Sequence, residues 1–193
     1  MIKTTAMLID ELPYANPKTK VARMVANGEL FPIVRGLYET DGDLPGHLLA
    51  GCIYGPSYLS FEFALAYYNI IPERVHVYTS ATFGKRRTKR FDTSFGTFTY
   101  HDVQKRAYPL FVDLRIENKR GWQIALPEKA LCDMVSIMSP IDDVEALLFD
   151  DLRCDQDALD RMDVTKLAVL RDAFRSRNVS MLVDYFEGEK HGR

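Results

Sequence analysis

Asp102, followed fifteen positions later by Glu117-Asn118-Lys119, has the composition of a metal-dependent nuclease site. In such sites two carboxylates hold a divalent ion, and a lysine stabilises the attacking water or the phosphate. Strand alternation would place Glu117 and Lys119 on one face. The same residues also describe the solvent face of an ordinary amphipathic strand, and no apolar strand pattern brackets Asp102. No catalytic residue, metal or cofactor is therefore expected, and a nuclease is the distant alternative. A second cluster offers different chemistry. Gly84-Lys85-Arg86-Arg87-Thr88-Lys89-Arg90 places five cations in seven residues. Such a run can neutralise phosphates, or it can be a solvated loop.

Other reactive residue types do not assemble. No Gly-rich loop follows a strand and opens a helix, so no phosphate cradle is indicated. Ser60 can cap a helix and has no evident histidine partner. His76 and His101 fall on two neighbouring expected strands and could meet there. The three cysteines, Cys52, Cys132 and Cys154, are widely spaced and form no CxxC pair. That usage fits a reducing compartment, and a cytoplasmic location is expected. Asp10 and Glu11 interrupt any leader-like apolar stretch, and the longest apolar run, residues 63–71, is too short for a bilayer. The net charge of −2 argues against a protein that coats nucleic acid over its whole surface, although a local footprint remains open.

The elements that must position these residues are legible in outline. Residues 4–12 read as a short helix, residues 13–16 as a turn, and residues 17–27 as a second helix capped by Asn16 and opened by Pro17. On that helix Val21, Met24 and Val25 share one stripe, and Lys20, Arg23 and Asn27 the opposite one. Gly28 stops it, and LFPIVRGLYET reads as a hairpin turning at Arg35-Gly36. Helix, tight turn, helix and hairpin is the outline of a winged helix-turn-helix, or of a small unit that merely packs on a neighbour. After a linker at Asp41-Gly42-Asp43, residues 45–52 look helical, and Ser60 opens a helix with Phe61, Ala64, Leu65 and Tyr68 on one face. Strands are expected over 74–80, 96–101, 111–117 and 123–126, with the basic run in a long link between the first two. Pro127 opens a helix bearing Leu131, Met134, Val135 and Met138, and the rest is helical. Residues 141–163 carry nine acidic and two basic side chains. They read as a solvated face or as a docking surface for a basic partner. The fold class is α+β: a small winged helix-turn-helix-like module over 1–40, then a larger mixed α/β body over 41–193 with a helical C-terminus.

Several segments together resemble one family. GELFPIVRGLYET, LLAGCIYGPSYLSFEFALAYYNIIPERVHVYTS, FGTFTYHDV and IALPEKALCDMV occur in the order seen in AbiEi antitoxins of type IV toxin–antitoxin systems. PSYLSFEFALAYYNIIPE and PEKALCDM are the most specific parts, and the resemblance spans roughly residues 20–180. It implies a non-enzymatic transcriptional autorepressor that binds operator DNA upstream of its own operon. It also implies an antitoxin acting against a nucleotidyltransferase-like toxin without a stable complex. Carried over by position, Lys18, Lys20, Arg23 and Asn27 would lie on the recognition helix and Arg35 at the wing. Lys85, Arg86, Arg87, Lys89 and Arg90 would contact phosphates from the second domain. The chain departs from a full winged helix, which has three helices before its wing. Only two fit here: either the leading helix is missing and the module is truncated, or residues 45–52 supply it. A protein-interaction module of the same fold without DNA binding is the alternative.

Overall fold

The computed structural model describes residues 1–12 and 16–191, so residues 13–15 of the expected turn lie outside the described residues. Strand β1 (Lys3–Thr4) leads into helix α1 (Thr5–Glu11), whose N-cap Thr4 accepts from the Met7 amide at 3.2 Å. Helix α2 (Pro17–Ala26) begins as expected, with Asn16 Oδ1 accepting from the Thr19 amide at 3.2 Å. Proline at the first position loses no hydrogen bond, because that amide has no intrahelical partner. Gly28 follows at φ 73°, a conformation that suits a residue without Cβ. Strands β2 (Phe31–Val34) and β3 (Leu37–Glu39) form the hairpin, turning at Gly36 with φ 84°. Strand β1 adds antiparallel to β3, giving a three-stranded sheet of order β1-β3-β2. This extra strand falls where the first helix was expected to begin.

The module has its own small core of Leu8, Val21 and Leu30, with Leu12, Met24, Val25 and Tyr38 packed around it. It does not stand apart from the body. Ile33 of β2 is buried in the larger core, and Phe31, Val34 and Leu37 pack against that core. Residues 45–52 do not supply the module's third helix. Gly46–Leu48 form one 3-10 turn and Ala50–Ile53 form helix α3, and Leu48, Leu49, Ala50 and Ile53 all belong to the larger core.

The body is built on a six-stranded mixed sheet of order β6-β7-β5-β4-β9-β8. Its strands are β4 (Tyr58–Leu59), β5 (Val77–Thr82), β6 (Lys89–Thr93), β7 (Gly96–Asp102), β8 (Val112–Glu117) and β9 (Arg120–Ala125). Pairs β5–β7 and β4–β9 are parallel; the others are antiparallel. The expected long link before residue 96 is therefore about half strand: residues 81–82 complete β5 and residues 89–93 form an edge strand, leaving 83–88 and the 94–95 turn as loop.

Helices α4 (Phe61–Tyr67) and α5 (Pro127–Ser136) pack together against this sheet. After α5 come α6 (Val144–Ala146), a π-helical turn over Leu147–Asp151, α7 (Gln156–Asp160), α8 (Val164–Phe174) and α9 (Arg177–His191). Three of the acids in the acidic stretch have a local reason to be there. Asp143, Asp155 and Asp163 cap α6, α7 and α8, each accepting a backbone amide at 2.8–3.0 Å. Carboxylates at helix N-termini satisfy orphan amides and complement the helix dipole.

Helix α5 is buried almost all round, including Glu128, Lys129 and Asp133. Buried Asn178 of α9 finishes it by donating to the carbonyls of Val135, Met138 and Ser139 at 3.0–3.2 Å.

Candidate nucleic-acid interface

In the module, α2 turns Val21 into the core and leaves Lys18, Arg23 and Asn27 exposed, with Lys20 half-buried. Asn27 stands at the helix C-cap, where its backbone amide donates to the Arg23 carbonyl at 2.9 Å and its side chain donates to Glu29 at 3.1 Å. Spacings of three and four along a helix place residues 20, 23 and 27 on one stripe. Arg35 is exposed at the hairpin turn.

The module is fixed to the body by Glu39 at the end of β3. Its side chain is wholly buried, and Arg120 at the start of β9 grips it with two bonds of 2.8 and 3.2 Å. The Thr40 amide donates at 2.9 Å, and the Met1 ammonium contacts the same carboxylate. Burial would raise the Glu39 pKa, but the bonds from Arg120, the amino group and Thr40 outweigh it and hold it at about 2. A buried carboxylate gripped by a bidentate guanidinium fixes orientation as well as position. At the other end of the module, the Ser94 hydroxyl donates to the Pro32 carbonyl at 3.4 Å, and β2 touches β6.

Strand β6 divides the basic run. Lys89, Phe91 and Thr93 alternate with Arg90 and Asp92, so Lys89 and Arg90 leave the sheet on opposite faces. Phe91 lies 6.0 Å from the Tyr54 ring and 5.8 Å from the Tyr100 ring. Arg90 folds onto Asp92 with bonds of 3.1 and 2.8 Å; that pairing raises the Arg90 pKa and lowers the Asp92 pKa. The remaining cations sit on the turn that enters the strand. Lys85 donates to the Gly55 carbonyl at 3.2 Å and lies 5.1 Å from the Tyr54 ring centroid, while the Arg86 amide donates to the Asp102 carboxylate. Arg86 and Arg87 are exposed, and Arg86 holds a positive φ of 55°. The run is thus a pinned turn and a strand, and its guanidiniums on the turn face solvent. It begins at the end of β6 remote from the contact with the module.

No protein-family model matches the chain, and no curated protein matches it significantly.

The nuclease constellation does not form. Asp102 closes β7 and accepts from the Thr82 hydroxyl at 2.7 Å. Glu117 closes β8, four strands away across the sheet, or roughly 19 Å at ordinary strand spacing. There it meets His47 Nε2 at 2.9 Å, and the His47 ring stands edge-on to Trp122 with centroids 4.8 Å apart. Lys119 is not on the strand at all. Asn118 and Lys119 form the β8–β9 turn with φ of 50° and 61°, the signature of a two-residue hairpin. His76 and His101 also stay apart. His76 precedes β5, and His101 pairs with Ala81, five residues further along.

What the sequence reading missed lies inside. Lys129 and Asp133, one helical turn apart on α5, form a fully buried ion pair. Asp133 also accepts from the Ser60 hydroxyl at 2.7 Å and the Tyr58 hydroxyl at 3.0 Å. Ser60 therefore holds the N-cap position of α4 but gives its hydroxyl to Asp133 rather than to the helix. Burial pushes the Asp133 carboxyl up against the opposing pull of Lys129, Ser60 and Tyr58, and burial also drives the Tyr58 hydroxyl up. The Lys129 ammonium lies 4.5 Å from the Phe174 ring and 5.4 Å from the Tyr58 ring. Almost wholly buried, the cluster ties α4, α5 and β4 together. The lysine and aspartate spaced i, i+4 on either side of the apolar run Ala130-Leu131-Cys132 were the available signal.

Proposed function

We propose that this protein is a DNA-binding transcriptional autorepressor and the antitoxin of a type IV toxin–antitoxin system. One observation carries the DNA reading. Lys20, Arg23 and Asn27 share one stripe of α2, opposite its core-facing stripe and beside a hairpin with Arg35 at its turn. The strand β1 supports it further, because it extends the hairpin into a three-stranded sheet behind two short helices. In this reading Lys18, Lys20, Arg23 and Asn27 enter the major groove and Arg35 lies over the backbone. The turn cations Arg86 and Arg87, with Lys85 and Lys89 beside them, take phosphates further along the duplex. Arg90 takes a lesser share, because Asp92 already neutralises it. The antitoxin role and the nucleotidyltransferase-like toxin rest on the resemblance to AbiEi proteins. A toxin-like neighbouring gene would support them.

Two carboxylates four strands apart are poorly placed to share a metal ion, which weighs against a nuclease built on Asp102, Glu117 and Lys119. The direct test of the DNA reading is a titration on the DNA upstream of the protein's own coding sequence. Arg23→Ala should lose about 1–3 kcal/mol there if it contacts a base. Equal affinity of wild type and variant would remove α2 as the reading element.

A further inference from the structure

Strand β8 is the end of the larger sheet and, among the described residues, is hydrogen-bonded to β9 alone. Its alternation is turned around from the usual arrangement. Glu117 reaches inward to His47, whereas Leu114 is 62% exposed and Ile116 is 77% exposed. An unpaired edge carrying exposed aliphatic side chains is a template for another strand.

We propose that this edge pairs with β8 of a second copy of the chain, antiparallel about a two-fold axis through Leu114. The strand's own charges select that occupant and that register. In a two-fold antiparallel pair, facing residues must point to the same side of the sheet, so the axis passes through a residue. With the axis at Leu114, Asp113 faces the partner's Arg115 and Arg115 faces the partner's Asp113. Leu114 then meets the partner's Leu114, and Val112 meets the partner's Ile116. All five facing positions, Val112 to Ile116, lie inside β8. An axis at Asp113 or Arg115 would oppose identical charges. An axis at Ile116 leaves only residues 115–117 of the strand paired.

Within one chain Asp113 and Arg115 already touch at 2.9 Å, and their side chains are 40% and 43% exposed. Arg115 also lies against the Tyr68 hydroxyl, so re-pairing exchanges existing contacts of two solvent-accessible side chains for contacts across the new boundary. Opposite charges facing across a strand pair stabilise it, and like charges destabilise it. A single added strand pair is a small interface, so a dissociation constant on the order of 10 µM is expected. The pairing stands apart from the DNA reading.

The test is sedimentation velocity on the full chain without DNA, from about 1 to about 200 µM. Wild type should move from monomer to dimer. Arg115→Asp and Asp113→Arg should each weaken dimerisation tenfold or more, an estimate from reversing two cross-strand pairs. The double variant Asp113→Arg/Arg115→Asp restores opposite charges and should return to within about threefold of wild type. Ile116→Lys, at a position too exposed to disturb the core, should leave the chain monomeric. Circular dichroism confirms that each variant is folded. A monomeric wild type across the range, charge variants that dimerise like wild type, or a folded double variant that fails to recover would each overturn the proposal.

Discussion

At one edge of the six-stranded sheet, β6 presents Lys89 and Arg90 on opposite faces, with Phe91 on the Lys89 face packed against Tyr54 and Tyr100; at the other, β8 presents Leu114 and Ile116 to solvent. Both strands face the same hazard, a row of backbone groups with no partner. At β6 the cations make a protein strand an unwelcome neighbour and a polyanion a welcome one. At β8 the charges are arranged as a self-complementary pair around an aliphatic centre, which favours a second copy. On the two proposals, one sheet would divide two tasks between its margins; the module touches β6 through β2 and is fixed to β9 through Glu39.

The comparison is broken most severely by removing the support common to both edges. Asp133→Leu leaves the Lys129 ammonium buried without a counter-charge and should cost about 3–5 kcal/mol in urea unfolding. The double variant Lys129→Met/Asp133→Leu should recover most of that loss, since it removes both charges.

A smaller effect comes from the joint between module and body. The Glu39 carboxyl is held at about 2 against an ordinary 4.5, so its contribution is present above pH 4.5 and lost as pH falls towards 2. Glu39→Gln should lower stability by about 2–3 kcal/mol at neutral pH, and the gap from wild type should close as the pH approaches 2. A gap independent of pH would mean the Arg120 pair does not hold the module. The smallest effect is expected at the basic turn. Arg87→Ser, on an exposed side chain, should change unfolding by no more than about 0.5 kcal/mol. A larger loss would make the turn structural rather than a DNA contact.

The legible and illegible parts of the chain differ for physical reasons. Asn16-Pro17 and Gly28 bracket α2 because cap, proline and C-terminal glycine act locally, and Arg35-Gly36 marks its hairpin in the same way. Strand β6 was hidden because Lys-Arg-Phe-Asp-Thr carries one apolar residue, and only the neighbouring β7 makes it a strand. Strand β4 is two residues long, below any periodic signal. The outward face of β8 was not readable from alternation, which separates two faces without saying which is covered. Lys129 and Asp133 look like surface residues until Tyr58 and Ser60 arrive from some seventy residues upstream. The stripe of α2 was read position by position, because helix periodicity alone sets it.

On the proposed function, α2 reads DNA while the basic turn holds its phosphates. The measurement that meets it most directly is binding to the protein's own upstream DNA and to a scrambled duplex over a series of salt concentrations. The account predicts that replacing Lys85, Arg86, Arg87, Lys89 and Arg90 with Ser flattens the slope of log K against log salt by about 3, for roughly three phosphates lost. Both duplexes should weaken alike, because phosphate contacts carry no sequence information. An unchanged slope, or a loss confined to the upstream DNA, would contradict it.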